Sequence, residues 1–216
     1  SLELFGLDEL IIFLYYKLNQ STYKRVADIG CNIGLHSIIL SKCGYVVSAY
    51  EPDENHIKLI YKHLEINNIS NVQVNKAAVS DNNGTVEFTR VVGNTTGSHI
   101  SGSKENPYGD LDRFNVDSVS LASIMKNVDF VKMDIEGHEA QAILSTESVH
   151  WHSTDMMVEV GSVNNANLIF NHLSQLDLRM FSQKTGWKIV NSHEDMPTSY
   201  KEGSLFITSR DTMYWG

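Results

Sequence analysis

A glycine-rich turn follows the first short apolar run of the chain. Residues 25–29 have the composition of a buried strand, and the segment 30–34, with glycine at each end, comes directly after it. Such a turn lets the backbone approach a ligand closely, and the helix that follows would offer free N–H groups. A dinucleotide-binding turn would have glycine in place of Asn32 and no acid in place of Asp28. The Asp28 carboxylate would repel a pyrophosphate, so the turn suits a cationic ligand.

An acidic residue also follows the second apolar run, at 46–50. Glu51 lies 21 residues after Gly30, close to the spacing of about 20 residues at which an acid accepts hydrogen bonds from ribose hydroxyls. Helix capping is the simpler interpretation of Asp53, and it stays open as an alternative for Glu51. With the cationic preference at Asp28, this acid points to S-adenosylmethionine, which carries an amino group, a sulfonium and a ribose.

Three acids and a histidine follow a later apolar run, at 130–133. Asp134, Glu136, His138 and Glu139 come at the strand end where parallel sheets bind ligands, although the helix dipole alone would account for one or two acids. We predict His138 as the general base, because a histidine titrates near neutral pH, and Glu136 as the second candidate. We expect Asp134 to orient the cofactor or the acceptor. No His-x-x-x-His pair or second carboxylate cluster accompanies them, so no metal site is predicted.

These polar residues need a sheet to bring them together. Short strands alternate with helices along most of the chain, which predicts parallel βαβ units and an α/β fold with a mostly parallel central sheet. Strand-like runs dominate the end of the chain and predict an antiparallel C-terminal edge. Glu159, after the next strand, would face the same crevice, where it binds the acceptor or caps a helix.

Two segments stand outside this alternation. Residues 1–24 predict an amphipathic N-terminal helix that packs on the domain at 25–216. The face expected to pack consists of Leu4, Leu7, Ile11, Leu14 and Leu18. Residues 93–115, rich in Gly, Ser, Asn and Asp, predict a loop, which is either solvated or an acceptor-binding lid. Its candidate contact residues are Asn94, Thr95, Thr96, His99, Lys104 and Tyr108.

Four motifs together resemble those of the FkbM methyltransferases. They begin at Asp28 (DIGCNIG), Glu51 (EPD), Ala77 (AAVSD) and Asp134 (DIEGHE), in the order and spacing of that family. The resemblance covers roughly residues 25–160, and the last motif is its most specific part. It implies a Rossmann-like class I methyltransferase fold, S-adenosylmethionine as cofactor and methylation of a hydroxyl oxygen on a small molecule or a sugar.

The resemblance also implies roles for individual residues. By position, Asp28 would lie near the amino group of the cofactor, Glu51 would bind the ribose, and the backbone of Ala77 would contact the adenine. His36 stands where the family often has an aromatic residue, so its ring would face either the cofactor or a neighbouring element. The methionine end of the cofactor would be lined by Gly30, Cys31, Asn32 and Gly34.

The composition of the chain limits the classes of protein to which it could belong. The 216 residues include 17 basic and 26 acidic ones, a net charge of −9, which suits one globular domain and argues against a protein that holds nucleic acid by its overall field. A nucleic-acid methyltransferase would also have an Asp/Asn-Pro-Pro-aromatic motif after the strand at 130–133. A nucleotide-binding oxidoreductase shares the fold and stays the main alternative.

The apolar run at 10–16 is too short to span a membrane, and two cysteines suit a reducing cytoplasm.

Overall fold

A computed structural model describes residues 6–92, 97–103 and 110–215. The helices in these residues are α1 (Leu7–Leu18), α2 (Leu35–Lys42), α3 (Glu54–Ile66), α4 (Leu121–Met125), α5 (Glu139–Leu144) and α6 (Val163–Gln175). The strands are β1 (Arg25–Ile29), β2 (Val46–Tyr50), β3 (Val72–Asn75), β4 (Ala78–Ser80), β5 (Gly84–Val91), β6 (His99–Ile100), β7 (Leu111–Ser120), β8 (Phe130–Met133), β9 (Asp155–Glu159), β10 (Arg179–Ser182), β11 (Lys188–Ile189) and β12 (Ser204–Thr208).

The main sheet has eight strands in the order β11-β10-β12-β9-β8-β1-β2-β3. Strands β3, β2, β1, β8 and β9 are parallel, and β12, β10 and β11 continue the sheet in antiparallel pairs. This confirms the predicted α/β class, with a mostly parallel sheet and an antiparallel C-terminal edge. The central strands are buried on both faces, as expected where helices cover both sides of a parallel sheet.

The register of the central strands places the predicted polar residues side by side. Asp28 of β1 pairs with Lys132 of β8, and Ile29 pairs with Met133, so the turns that follow these two strands begin at the same level. Met133 pairs with Val158 of β9, which brings the strand ends at Asp134 and Glu159 next to each other. The sheet therefore gathers carboxylates from three distant parts of the sequence along one edge.

A second, four-stranded sheet has the order β4-β7-β5-β6. Residues 72–79 have the composition of one continuous strand, but this segment divides into β3 in the main sheet and β4 in the second. The predicted loop at 93–115 also needs correction, because β6 and the first half of β7 fall inside it. Strand β7 pairs with β5 from Leu111 to Ser118. Its first half is polar because it is largely exposed, so its composition imitates that of a loop.

Part of the predicted lid lies outside the described residues. This applies to five of its candidate contact residues, Asn94, Thr95, Thr96, Lys104 and Tyr108. His99 is described, and it is buried in β6.

Helix α1 packs through a different face from the predicted one. Leu7 and Leu14 are 74% and 51% exposed, and Leu4 lies outside the described residues. The buried positions are Ile12, Tyr15 and Tyr16. The tyrosines can be buried because their hydroxyls have partners within the protein, at Tyr23 and His36. None of the helices in the described ranges is both long and apolar enough to cross a membrane.

Candidate active site

The turns that follow β1 and β8 touch each other at the strand ends. Gly30 has φ +74°, and a Cβ atom at this position would overlap with the backbone carbonyl oxygen of Asp134. Only glycine therefore lets the two turns come this close. The contact brings the glycine-rich turn and the acidic turn together as one surface.

Glu51 is buried at the end of β2, with its carboxylate held in one orientation. Its Oε2 accepts a hydrogen bond from the Asn32 N–H (3.0 Å), while Oε1 accepts one from the Asp53 N–H (2.9 Å) and lies 3.3 Å from Nδ1 of His56. Burial lowers the pKa of His56, but the hydrogen bond and the charge of Glu51 outweigh that effect, so the net pKa is raised. A carboxylate has about four acceptor positions, so at least one is left for a ligand.

Asp53 joins the second sheet to the Glu51 turn. It accepts the N–H of Asn55 (2.8 Å) and so caps α3, as the sequence predicted, and it also accepts two hydrogen bonds from Arg90 of β5 (2.6 and 2.8 Å). Burial raises the pKa of Asp53, but the hydrogen bonds from Arg90 and Asn55 outweigh it, and the net pKa is lowered. Because Phe88 of the same strand lines the pocket, this ion pair fixes one of its walls.

The last acid of the DIEGHE motif shapes the turn that precedes it. Glu139 is fully buried at the start of α5, and its carboxylate accepts hydrogen bonds from the N–H groups of Ile135 and Gly137 (both 3.0 Å) and from Nδ2 of Asn165 (3.1 Å). Burial raises its pKa to about 7. These bonds hold a turn in which Glu136 has φ +57°. Sequence reasoning had assigned no role to Glu139.

His138 has a hydroxyl partner at each ring nitrogen, and its role as the general base stays a prediction. Its Nε2 lies 2.9 Å from Oγ of Ser80, and its Nδ1 lies 2.9 Å from Oγ of Ser103. Burial lowers its pKa. The described residues that line the pocket do not include it. Since two serine hydroxyls engage both ring nitrogens, the histidine joins the second sheet to the acidic turn.

The ring of His36 faces α1, which selects a neighbouring element from the two alternatives that the sequence left open. Its Nδ1 lies 3.0 Å from the Tyr16 hydroxyl, its Nε2 lies 2.9 Å from the Glu9 carboxylate, and its ring packs edge-on against Phe13. Sequence position could not reveal this, because the three partners belong to a helix whose packing face was predicted wrongly.

Three other predicted residues are not among the described residues that line the pocket. The Cys31 side chain is buried and packs with apolar residues of α3, and Ala77 is buried next to the start of β4. Gly34 ends the turn and donates its N–H to the carbonyl of Cys31 (2.8 Å). Their contacts with a cofactor stay predictions.

The pocket between these turns has about 460 Å³ of unoccupied space, counted with its open mouth. The predicted residues that it brings together are Gly30, Asn32, Glu51, Asp134 and Glu136. The sequence did not single out Pro52, His56, Phe88, Ser98 and Ile135, which line it as well. Pro52 and Ile135 belong to the motifs that begin at Glu51 and Asp134, and Ser98 falls within the predicted loop at 93–115, whereas Phe88 had no sequence signal.

Lys132 of β8 is a buried cation that the sequence analysis passed over. Its ammonium lies 3.8 Å from the carboxylate of Asp134. Burial lowers its pKa, but the charges of Asp134 and Asp28, followed by those of Glu159 and Glu9, outweigh that effect and raise the pKa to about 12. The sequence did contain a signal for this residue, because Lys132 is a lysine within an otherwise apolar strand.

Asp28 provides an unsatisfied acceptor beside this lysine. The residue is completely buried, its Oδ2 accepts a hydrogen bond from Ser37 (2.6 Å), and its Oδ1 has no partner among the described residues. Unpaired buried oxygens are rare, so this one points to a ligand donor. No three His, Cys, Asp or Glu side chains are grouped for a metal ion in the part of the chain that the structure describes.

Comparison with protein families places most of these residues in one known domain. The family model described as "Methyltransferase FkbM domain" matches residues 28–186. The matched range begins at Asp28 and includes the four motifs of the sequence analysis.

Individual relatives are more distant. A curated ribosomal protein L11 methyltransferase from Acetivibrio thermocellus is 43% identical over 58 residues, which is 26% of this chain and 18% of that protein. The solved ribosomal protein L11 methylase from Lactobacillus delbrueckii subsp. bulgaricus has a TM-score of 0.53 and 13% identity, over 94% of this chain and 80% of that one. The precorrin-6y C5,15-methyltransferase of Geobacter metallireducens GS-15 has a TM-score of 0.50 and 12% identity, over 96% and 89%. At these identities the two structures support the fold alone.

Proposed function

The chain belongs to the FkbM methyltransferase family, and from this membership and the strand-end pocket we propose that it transfers a methyl group from S-adenosylmethionine to a hydroxyl oxygen of a small molecule or a sugar. The family match supports methyl transfer itself. The observation that carries the choice of cofactor is the Glu51 carboxylate, which the N–H groups of Asn32 and Asp53 hold in the pocket.

The residues around the pocket fit a cationic cofactor that carries a ribose. A ribose hydroxyl would donate a charge-assisted hydrogen bond to Glu51, and an amino group would satisfy the unpaired Oδ1 of Asp28. Asp134 and Glu136 add negative charge along the same surface. When bound, S-adenosylmethionine supplies a methyl group that its sulfonium already activates. The residues of the chain then have to align the acceptor and exclude water.

A dinucleotide fits the same pocket less well. Its pyrophosphate would lie against Asp134 and Glu136, and like charges repel strongly where water is partly excluded. The N–H of Asn32, which a phosphate would need, already donates to Glu51. We therefore favour the methyltransferase over the oxidoreductase alternative.

Asp134 and Glu136 are the proposed residues that face the acceptor. A hydroxyl acceptor has to lose its proton during transfer, and carboxylates at the pocket suit that task. The same acids and the net charge of −9 oppose a nucleic-acid acceptor. The names of the L11 relatives describe a protein acceptor, but the matched segment spans 18% of the curated relative, so we do not transfer that acceptor. A cytoplasmic location is also part of the proposal, supported by two free cysteine thiols.

Calorimetry with S-adenosylhomocysteine and NADH tests the cofactor assignment. We expect the protein to bind S-adenosylhomocysteine and not NADH. Glu51→Ala should weaken that binding by roughly 100-fold, because it removes about 3 kcal/mol of charge-assisted hydrogen bonding. Glu65→Ala, at an exposed position of α3, is the matched control and should bind normally.

Two results would contradict this assignment. Tight binding of S-adenosylhomocysteine by Glu51→Ala would remove Glu51 from the ribose site. Preferential binding of NADH would replace the proposal with the oxidoreductase alternative. Mass spectrometry of ligand that copurifies with the unmodified protein provides an independent identification.

A further inference from the structure

Glu159 and Asp134 are two carboxyl groups at the ends of neighbouring strands. The β8–β9 register, in which Met133 pairs with Val158, places them side by side. Neighbouring carboxylates repel each other, and a proton on Glu159 removes that repulsion. This holds independently of any ligand.

The surroundings of Glu159 determine which group holds that proton. The groups that face it are Lys132 of β8, Asp134 directly after that strand, Glu9 of α1 and Tyr200 of the C-terminal segment. Burial, and then the charge of Asp134, raises the pKa of Glu159 to about 9, although Lys132 acts in the opposite direction.

A second observation shows that this cluster is directed at a ligand. The completely buried Asp28 has an unpaired Oδ1, and the buried Oδ1 of Asp134 also lacks a partner in the described ranges. The ammonium of Lys132 donates no hydrogen bond to a described residue, and its ion pair with Asp134 is long, at 3.8 Å. Donors and acceptors that could pair with one another are thus held apart around the strand ends.

We propose that Asp134 is the base that takes the proton of the acceptor hydroxyl, and that Glu159 and Lys132 are positioning residues that hold its carboxylate toward the pocket. This inference rests on the proposed function and names residues for it. As the acceptor oxygen bonds to the methyl carbon, its O–H proton passes to Asp134. The carbon–sulfur bond breaks with its electron pair left on a neutral sulfur, and the proton then leaves to solvent.

Glu159 acts through Asp134 in this arrangement. Its protonated carboxyl donates a hydrogen bond to one oxygen of Asp134 and leaves the other oxygen for the acceptor. Lys132 supplies the positive charge that keeps this buried group of acids together. Glu159→Gln is therefore the informative variant, because the amide keeps a hydrogen-bond donor but cannot release a proton.

Infrared spectroscopy of the protein without ligand tests the proton on Glu159. Between pH 8 and pH 10 the wild type should lose the C=O stretching band of one protonated carboxyl group. Glu139, whose pKa is raised to about 7, is already mostly ionised at the start of this range. The band should be absent from Glu159→Gln and present in Glu65→Gln, which makes the same change at an exposed site. A band of unchanged size in Glu159→Gln would overturn the proposal.

Calorimetry then tests whether the pair faces the reacting end of the pocket. A nearby sulfonium should favour the ionised pair, and a tenfold preference would release roughly half a proton near pH 8.5, counted by repeating the titration in buffers of different ionisation enthalpy. We expect this release with S-adenosylmethionine to the wild type and Glu65→Gln, and its loss in Glu159→Gln. S-adenosylhomocysteine, whose sulfur is neutral, should show no such difference between the proteins.

The outcomes separate the two proposals. If both ligands bind and Glu159→Gln releases as many protons as the wild type, the acid–base pair is wrong while the cofactor assignment stands. If neither ligand binds the wild type, the proposed function fails, and the catalytic role of the pair fails with it. Should Glu159→Gln unfold, Asp134→Asn must move the loss of the infrared band to lower pH, because the charge of Asp134 helps to raise the pKa of Glu159, and an unchanged midpoint would overturn the proposal.

Discussion

Two residues at the pocket adopt a backbone conformation that side chains rarely favour. Asn32 has φ +50° and Glu136 has φ +57°. Each costs roughly 1 kcal/mol, so each has to be held by its surroundings. The carboxylate of Glu51 holds the first turn through the Asn32 N–H, and that of Glu139 holds the second through the Gly137 N–H. Residues that form the site are thus also the ones that maintain its shape.

Gly30→Ala should be far more destabilising than Gly44→Ala. Both glycines have positive φ, so both variants pay about 1 kcal/mol for the backbone conformation. A Cβ at Gly44 meets no neighbouring atom, whereas one at Gly30 would overlap with the Asp134 carbonyl. We expect a total loss of about 3 kcal/mol or more for Gly30→Ala, measured by urea unfolding. Equal losses in the two variants would show that the turns after β1 and β8 do not touch.

At the scale of elements, α1 shows how packing selects among possible helix faces. The helix carries leucines on one side and aromatic residues on another, and either could have met the core. The aromatic side is buried because Tyr15 and Tyr16 pack against Phe130, and because their hydroxyls find partners in Tyr23 and His36. A prediction from the helical pattern ranks Leu as more hydrophobic than Tyr. It therefore selects the leucine side of α1, which the structure leaves exposed.

Paired alanine substitutions on α1 distinguish the two faces. Ile12→Ala should destabilise the protein by about 3 kcal/mol, because it leaves a cavity beneath the helix. Leu14→Ala should change the free energy of unfolding by less than about 0.5 kcal/mol, since this side chain is half exposed. The reverse ranking in thermal or urea unfolding would restore the leucine face as the one that packs.

At the scale of the whole molecule, negative charge predominates over the entire chain and is also concentrated around the pocket. The chain carries a net charge of −9, and the strand ends concentrate Asp28, Glu51, Asp134 and Glu136 around one pocket. Lys132 offsets a part of this charge. A site of this kind favours cations and opposes polyphosphates over the whole approach to the pocket.

A labelled single-stranded RNA oligonucleotide should therefore not bind. Fluorescence anisotropy at 0.15 M salt should show a Kd weaker than about 1 mM, because the protein offers no field that would release counterions from a phosphate backbone. Saturable binding at micromolar protein would contradict this expectation and would reopen a nucleic-acid acceptor.

The sequence by itself determined the alternation of strands and helices over most of the chain and the positions of the acids at the strand ends. Glu51 and Asp134 could be placed because a strand followed by a turn is a local pattern, and parallel strands end at one edge. Only the tertiary structure decided which side chains face the pocket. His138 lies against Ser80 and Ser103, and Lys132 lies among acids at the end of its own strand, in β1, in β9 and in α1, because side-chain direction depends on partners far away in sequence.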